Sequence, residues 1–287
     1  MARLGFHPRL GDKRGGISRR NALAGLACCG LGAAGIHAVA IEPRWLDVSE
    51  HDIPVPNLPA SLEGFRVAQL SDMHLSSVGG LEEKLLAALR ERDVGLVAIT
   101  GDAIESQAAM VVLGGFVREI AKTTKAEIVA TLGNWEHWGG VPFDTLSSTY
   151  REVGATLLGN EGKSTTSGIV VVATDDYCVG LADLAESLRT SPSGGAARIL
   201  LTHAPGHLDR PPAGAPPFHL CLAGHTHGGQ VRPGFTLWTP PGSGRFVAGA
   251  YETPAGRAYV SRGIGTSVLA ARLGSRPELP IFRLVRA

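Results

Sequence analysis

The chain has 287 residues, 44% of them apolar and 18% charged, which is enough to bury a sizeable core and excludes a disordered or fibrous protein. Its 27 basic and 26 acidic side chains nearly cancel, yet residues 1–40 hold six basic groups against one acid, Asp12, leaving 21 basic and 25 acidic in residues 41–287. A protein that gripped nucleic acid through a broad basic face would not have this layout, so no specific nucleic-acid binding is expected.

The basic groups Arg3, Arg9, Lys13, Arg14, Arg19 and Arg20 precede an uncharged stretch, Asn21 to Ala40, made mostly of Ala, Gly and Leu. A basic segment, a modest apolar segment and small residues form the pattern of an export signal. The pair Arg19-Arg20 before a Gly-rich apolar stretch resembles a twin-arginine signal. That resemblance implies the twin-arginine translocase as a partner during export. It also implies a mature protein in the periplasm or on the outer face of the cytoplasmic membrane. Ala38-Val39-Ala40 offers a cleavage site. The alternative is an uncleaved signal-anchor over residues 1–40, although Gly25, Gly30, Gly32, Gly35 and His37 make a poor membrane span. Beyond Cys28 and Cys29 of the apolar stretch, the two remaining cysteines, Cys178 and Cys221, are too few for a disulfide framework.

Residues 41–63, with Pro54, Pro56 and Pro59, read as an irregular lead-in, and a single domain over 64–287 follows. Strands are predicted at 65–70, 96–100, 128–132, 169–173, 199–202 and 218–223, and helices at 81–92, 111–120 and 145–153. The last 45 residues read as strand-rich, with strands at 246–251, 257–261 and 280–284. Alternating βα units followed by a run of strands predict a layered α/β sandwich.

Polar residues collect at the ends of these strands. Asp72 and His74 follow the first, Asp102 the second, Asn134 the third, His203 a later one, and His225 and His227 another. Ligands of α/β sheets gather at the carboxyl ends of strands, so these seven side chains are expected at one edge. In extended chain, residues i and i+2 share a face, which would aim Asp72 with His74, and His225 with His227, at a common point. Asp102 would be a buried, unpaired carboxylate unless it met a cation. Seven oxygen and nitrogen donors without a thiolate oversupply one ion but fit two that share a carboxylate. Such donors suit Mn, Fe or Zn better than Ca. Two cations roughly 3.5–4 Å apart clamp a phosphoryl group and turn a bridging water into hydroxide for in-line attack.

Ser71-Asp72-Met73-His74, Thr100-Gly101-Asp102, Leu132-Gly133-Asn134-Trp135-Glu136, Thr202-His203 and Gly224-His225-Thr226-His227-Gly228-Gly229-Gln230 resemble, in order, the five motifs of the calcineurin-like metallophosphoesterases. The chain looks most like the exported YaeI/YkuE-type bacterial phosphodiesterases, which share an ending similar to Ser261-Arg262-Gly263-Ile264-Gly265-Thr266-Ser267. The resemblance implies a two-sheet β-sandwich flanked by helices, the four-layer αββα fold. It implies two divalent metal ions, the first held by Asp72, His74 and His227, the second by Asn134, His203 and His225, with Asp102 between them. The expected activity is hydrolysis of a phosphoester, more readily a diester, whose substrate is lipid- or nucleotide-linked. Pyrophosphohydrolysis of a nucleotide-diphosphate lipid of the UDP-diacylglucosamine type is a second reading, and a non-catalytic metal-binding scaffold a remote third.

The chain departs from the family at two places. Trp135 stands where most members carry the histidine that protonates the leaving group, so either His137 is the candidate general acid or the leaving group, such as a nucleotide phosphate, needs no protonation. Glu105 stands where the family's Gly-Asp-x-x-Asp motif carries its second aspartate, and the extra methylene changes the reach of the contact expected behind the ligands. Two stretches bear on the substrate. Residues 204–217 carry five prolines, and Val268–Leu273 is an apolar run that faces either the core or a membrane surface.

Overall fold

The computed structural model describes residues 19–287. Arg3, Arg9, Lys13 and Arg14 of the expected export signal lie outside the described residues. Helix α1 (Arg19–Ile36) is followed by a π-helical turn over His37–Ile41 and a 3-10 turn over Glu42–Arg44. Among the described residues no helix is long and apolar enough to cross a membrane.

The remainder runs β1 (Asp47–Val55), β2 (Arg66–Leu70), α2 (Gly80–Arg90), β3 (Leu96–Thr100), α3 (Met110–Thr124), β4 (Glu127–Thr131), α4 (Asn134–Trp138), α5 (Phe143–Arg151) and β5 (Thr156–Leu157). It continues with β6 (Glu161–Ser164), β7 (Ile169–Ala173), α6 (Leu184–Thr190), β8 (Ala197–Leu201), β9 (Phe218–Ala223), β10 (Gly249–Thr253), β11 (Gly256–Val260) and β12 (Glu278–Arg286). The strands form two six-stranded sheets, ordered β1-β12-β2-β3-β4-β5 and β10-β11-β9-β8-β7-β6. β2 to β5 are parallel in the first sheet, and β7, β8, β9 and β11 in the second.

Alternation along the strands builds three apolar layers. Leu96 and Ala98 of β3 face the second sheet, where they meet Ile169 and Val171 of β7 and Ile199 and Leu201 of β8. Val97 and Ile99 face the other way, onto Leu85 and Leu89 of α2 and Phe116 and Ile120 of α3. Val170, Val172 and Leu200 cover the outer face of the second sheet with Leu184 and Phe246. Two packed sheets with helices outside them are the expected αββα sandwich.

The expectation of an irregular lead-in is corrected over Asp47–Val55, which is a full strand paired in parallel with β12 from Asp47–Glu278 to Val55–Arg286. β1 is an edge strand, where Pro54 is tolerated because one of its sides needs no ladder hydrogen bond. The strand expected at 246–251 begins only at Gly249. Phe246 instead packs edge-on to Tyr251 in the outer layer, with ring centres 4.9 Å apart.

Candidate metal centre

The carboxyl ends of β2, β3 and β4 in one sheet, and of β8 and β9 in the other, deliver all seven expected side chains to one edge of the sandwich. The local reason differs from the one expected. Asp72, His74, Asp102, His225 and His227 are not extended but left-handed, with φ of 50°, 47°, 50°, 73° and 49°. This region is uncommon for residues with a Cβ and concentrates at functional sites. The surrounding backbone holds it there. Asp72 N–H donates to Gly101 O (3.1 Å), His74 N–H to Asp102 O (3.0 Å) and Leu75 N–H to Ala103 O (2.9 Å), stitching the first loop to the second. Met73 between the two ligands turns into the core, as expected. Gly133 is required where β4 meets the site, because any Cβ there would collide with the Asp102 carboxylate and backbone.

Two overlapping clusters result. In the first, His74 Nε2 and His227 Nε2 face each other at 3.2 Å, His227 Nε2 lies 3.4 Å from Asp72 Oδ1, and His74 Nε2 lies 3.8 Å from Asp102 Oδ2. In the second, His203 Nε2 lies 3.1 Å from Asp102 Oδ2 and 4.0 Å from Asp72 Oδ1. Asp72 Oδ1 belongs to both clusters, and Asp102 Oδ2 links His203 of the second to His74 of the first. Asp72 Oδ2, Asn134 Oδ1 and His203 Nε2 are buried without a hydrogen-bond partner. Orphaned buried polar atoms are destabilising, by roughly 1–3 kcal/mol each, and a bound cation is one partner that would relieve them. The donor set thus fits two divalent ions. His225 reaches the site differently from the others. Its backbone N–H donates to Asp72 Oδ1 (2.9 Å) and its Nε2 meets Pro241 O (2.7 Å), so Nδ1 is the nitrogen left for a ligand.

Electrostatics sort these groups. Burial opposes charge on His203, but Asp102 beside it, with Asp72 and Asp176 behind, outweighs burial and lifts its pKa well above the ordinary value. Burial, reinforced by His74 and Arg272, drives His227 well below it. Burial likewise lowers His225, with His203 adding to the effect. Asp102 is pushed up by burial yet ends below the ordinary range because His203 and His74 hold its charge.

A layer of partners orients the donors. His203 Nδ1 meets Thr100 O at 2.8 Å, which makes Nδ1 the protonated nitrogen and frees Nε2. Glu105 Oε1 lies 2.9 Å from His74 Nδ1, so the longer side chain reaches a ligand histidine. The contact is close but not aligned as a hydrogen bond. Glu136, which the sequence marks only as part of a motif, has a larger part in the structure. Its buried carboxylate accepts from Asp102 N (3.0 Å), Ala103 N (2.6 Å), Ile104 N (3.2 Å) and Gly133 N (2.9 Å), tying two ligand loops together. Burial and the nearby Asp102 raise its pKa even so. Arg272 joins the centre from outside the five motifs. Fully buried, it donates to Arg262 O (2.9 Å) and Ser275 O (2.8 Å) and reaches His227 Nδ1 at 3.5 Å. No local sequence signal marks it, since its partners converge only in the fold.

His137 is the one expected site residue that the structure does not bring to the cluster. Its Nε2 lies 2.6 Å from Asp175 Oδ1, and its ring is not part of the cleft wall. Trp135 instead stands edge-on to His74 at 6.0 Å and to Trp138 at 5.5 Å. A cleft of about 390 Å³ opens above Asp102, Asn134, His225 and His227, and its upper walls are almost wholly apolar.

No family model matches the chain. It is 30% identical to the uncharacterized metallophosphoesterase YkuE of Bacillus subtilis, over 93% of this chain and 98% of that protein. It is 27% identical to the phosphodiesterase YaeI of Escherichia coli, over 94% of this chain and 100% of that one. A dimetal phosphatase from Danio rerio superposes with a TM-score of 0.43 at 12% identity, over 70% of this chain and 88% of that structure. With a relative at 30% identity matched over nearly its whole length, the chain belongs to the metallophosphoesterase superfamily.

Proposed function

We propose that the protein is a phosphodiesterase that works with two divalent cations. Asp72, His74 and His227 hold the first, Asn134, His203 and His225 hold the second, and Asp102 lies between them. The observation that carries this reading is the convergence of side chains from five strand ends on the Asp72 and Asp102 carboxylates, with three buried polar atoms there left unpartnered. When bound, the cations supply positive charge to the phosphoryl oxygens and acidify water. The chain's own residues do the rest. Thr100 O fixes the His203 tautomer, Glu136 fixes the Asp102 loop, and Glu105 braces His74.

Preference for a diester follows from the cleft wall. Among its residues there is no Lys or Arg to meet the second negative charge of a monoester, whereas the apolar walls accept a second esterified group. The relative YaeI bears the name phosphodiesterase. In the reaction the oxygen of water bonds to phosphorus, one P–O ester bond breaks, and the products are a phosphomonoester and an alcohol. With Trp135 in place of an imidazole and His137 turned to Asp175, the described cleft residues offer the leaving oxygen no side-chain acid apart from the ligand groups. That oxygen takes its proton from solvent, so rates fall steeply as the leaving alcohol becomes less acidic.

The test is a panel of aryl diesters, aryl monoesters and nucleotide sugars on protein of known metal content. Diesters are expected to turn over at least about tenfold faster than monoesters of the same alcohol. A monoester preference overturns the reading. Export by the twin-arginine route to the cell envelope is proposed on Arg19-Arg20 and the apolar stretch after them. Replacing both arginines with lysine is expected to keep the protein in the cytoplasm.

A further inference from the structure

The cleft has an apolar rim that the phosphoester reaction does not require. Trp138, Leu237, Trp238, Val268 and Leu269 all line it and are all exposed, Val268 at 97% and Trp238 at 67%. Large apolar side chains clustered at the mouth of a ligand cleft mark a surface for an apolar partner. Val268 is also left-handed, with φ of 62°, an uncommon state for a β-branched residue. The loop that carries it is braced rather than loose. Gln230 Nε2 donates to Ser267 O (3.1 Å) and Leu269 O (2.8 Å), and Ser267 N–H donates back to Gln230 Oε1 (3.2 Å). Arg232 N–H donates to Leu273 O (2.6 Å), so two loops form one wall.

That wall is joined to the root of the N-terminal apolar segment. Arg272 N–H donates to Ala38 O at 2.8 Å, and Ser275 N–H donates to Glu42 Oε1 at 2.6 Å. Ile36, Val39 and Ile41 at this root are exposed. The apolar rim and the apolar helix therefore depart from one structural unit, four residues apart at Val268 and Arg272. No cationic side chain among the cleft residues addresses the phosphates of a nucleotide.

The geometry points to a substrate that is a phosphodiester bearing an aliphatic chain, met at the surface of a lipid bilayer. The phosphate lies on the Asp102–His227 floor and the chain lies along the wall of Leu237, Trp238, Val268 and Leu269. This deepens the phosphodiesterase reading and rests on it. The Ala38 and Glu42 contacts hold the cleft mouth beside the root of α1, so a bilayer surface that meets the exposed Ile36, Val39 and Ile41 also meets the rim.

The test uses the full chain loaded with Mn²⁺ and alkyl phosphocholines of two to ten carbons, kept below their micelle concentrations. Binding is followed by tryptophan fluorescence. Affinity is expected to rise about twofold to fourfold per methylene until the wall is filled. In Trp238→Ser/Leu269→Ser, where both residues are exposed, that slope is expected to flatten. Flotation of the metal-free chain with phosphatidylglycerol–phosphatidylcholine vesicles is expected to drop at least about fivefold in the same variant. A flat chain-length series in the wild type overturns the chain-binding assignment, and unchanged flotation overturns the bilayer contact. Chain-length dependence in a protein that hydrolyses no diester removes the phosphodiesterase reading instead. Diester hydrolysis with a flat series does the reverse.

Discussion

The floor and the rim of the cleft are built in opposite ways. The floor is buried and polar, its backbone is held left-handed at Asp72, His74, Asp102, His225 and His227, and each loop is stitched to the next. The rim is exposed and apolar and stands on the loops around Gln230 and Val268. A floor of this kind tolerates little displacement, because a ligand held away from its strained conformation loses its partners. The rim tolerates substitution but changes which molecule arrives. The chemistry and the choice of substrate are thus separable, and each can be attacked alone.

The largest effect is expected at the shared donor. Asp102→Ala should lower kcat/KM on an aryl phosphodiester by more than about 100-fold, beyond the 10–100-fold typical when a partner of a ligand is removed. Steady-state kinetics at saturating metal would show it, and a loss below tenfold would remove Asp102 from the centre. Glu136→Ala acts one layer out by freeing four backbone N–H groups. It should weaken metal affinity roughly 10–100-fold, measured by calorimetric titration, and lower the melting temperature. Glu105→Ala belongs to the same layer with a single contact and should fall near the bottom of that range.

The smallest effect is expected at His137. His137→Ala should reduce kcat on the aryl diester far less than Asp102→Ala does, and equal losses would make it an indispensable acid. Its bond to Asp175 raises its pKa, with burial opposing. A group raised on folding stabilises fully below its unfolded value near 6.5 and ceases to do so as pH rises through the folded value. The stability difference between wild type and His137→Ala should therefore be greatest in mild acid and vanish in alkali. Solvent screening keeps it below about 1 kcal/mol, and urea melts across that range would measure it.

Much of this was legible before the fold. Short apolar runs ending in Asp, His or Asn located β2, β3, β4, β8 and β9, because buried strands read as continuous apolar segments and polar residues follow only where the chain leaves the sheet. β1 was lost to Pro54, whose tolerance depends on lying at an edge, which no local pattern shows. Asp72 and His74 turn toward each other's cluster through residues at positive φ rather than through the alternation of an extended chain, which a side-chain pattern does not reveal. Glu136 and Arg272 escaped because their partners are backbone groups, and backbone leaves no trace in a side-chain pattern. Ala38 and Glu42 escaped because their contacts lie more than 230 residues away along the chain.

The most direct test of the two-cation centre is a Mn²⁺ titration of metal-stripped protein, with bound metal and aryl-diester hydrolysis followed in parallel. Two equivalents are expected to bind, with hydrolysis following the second, and Asp102→Ala should lose both together. Full hydrolysis at one equivalent, or without any metal, would contradict the account.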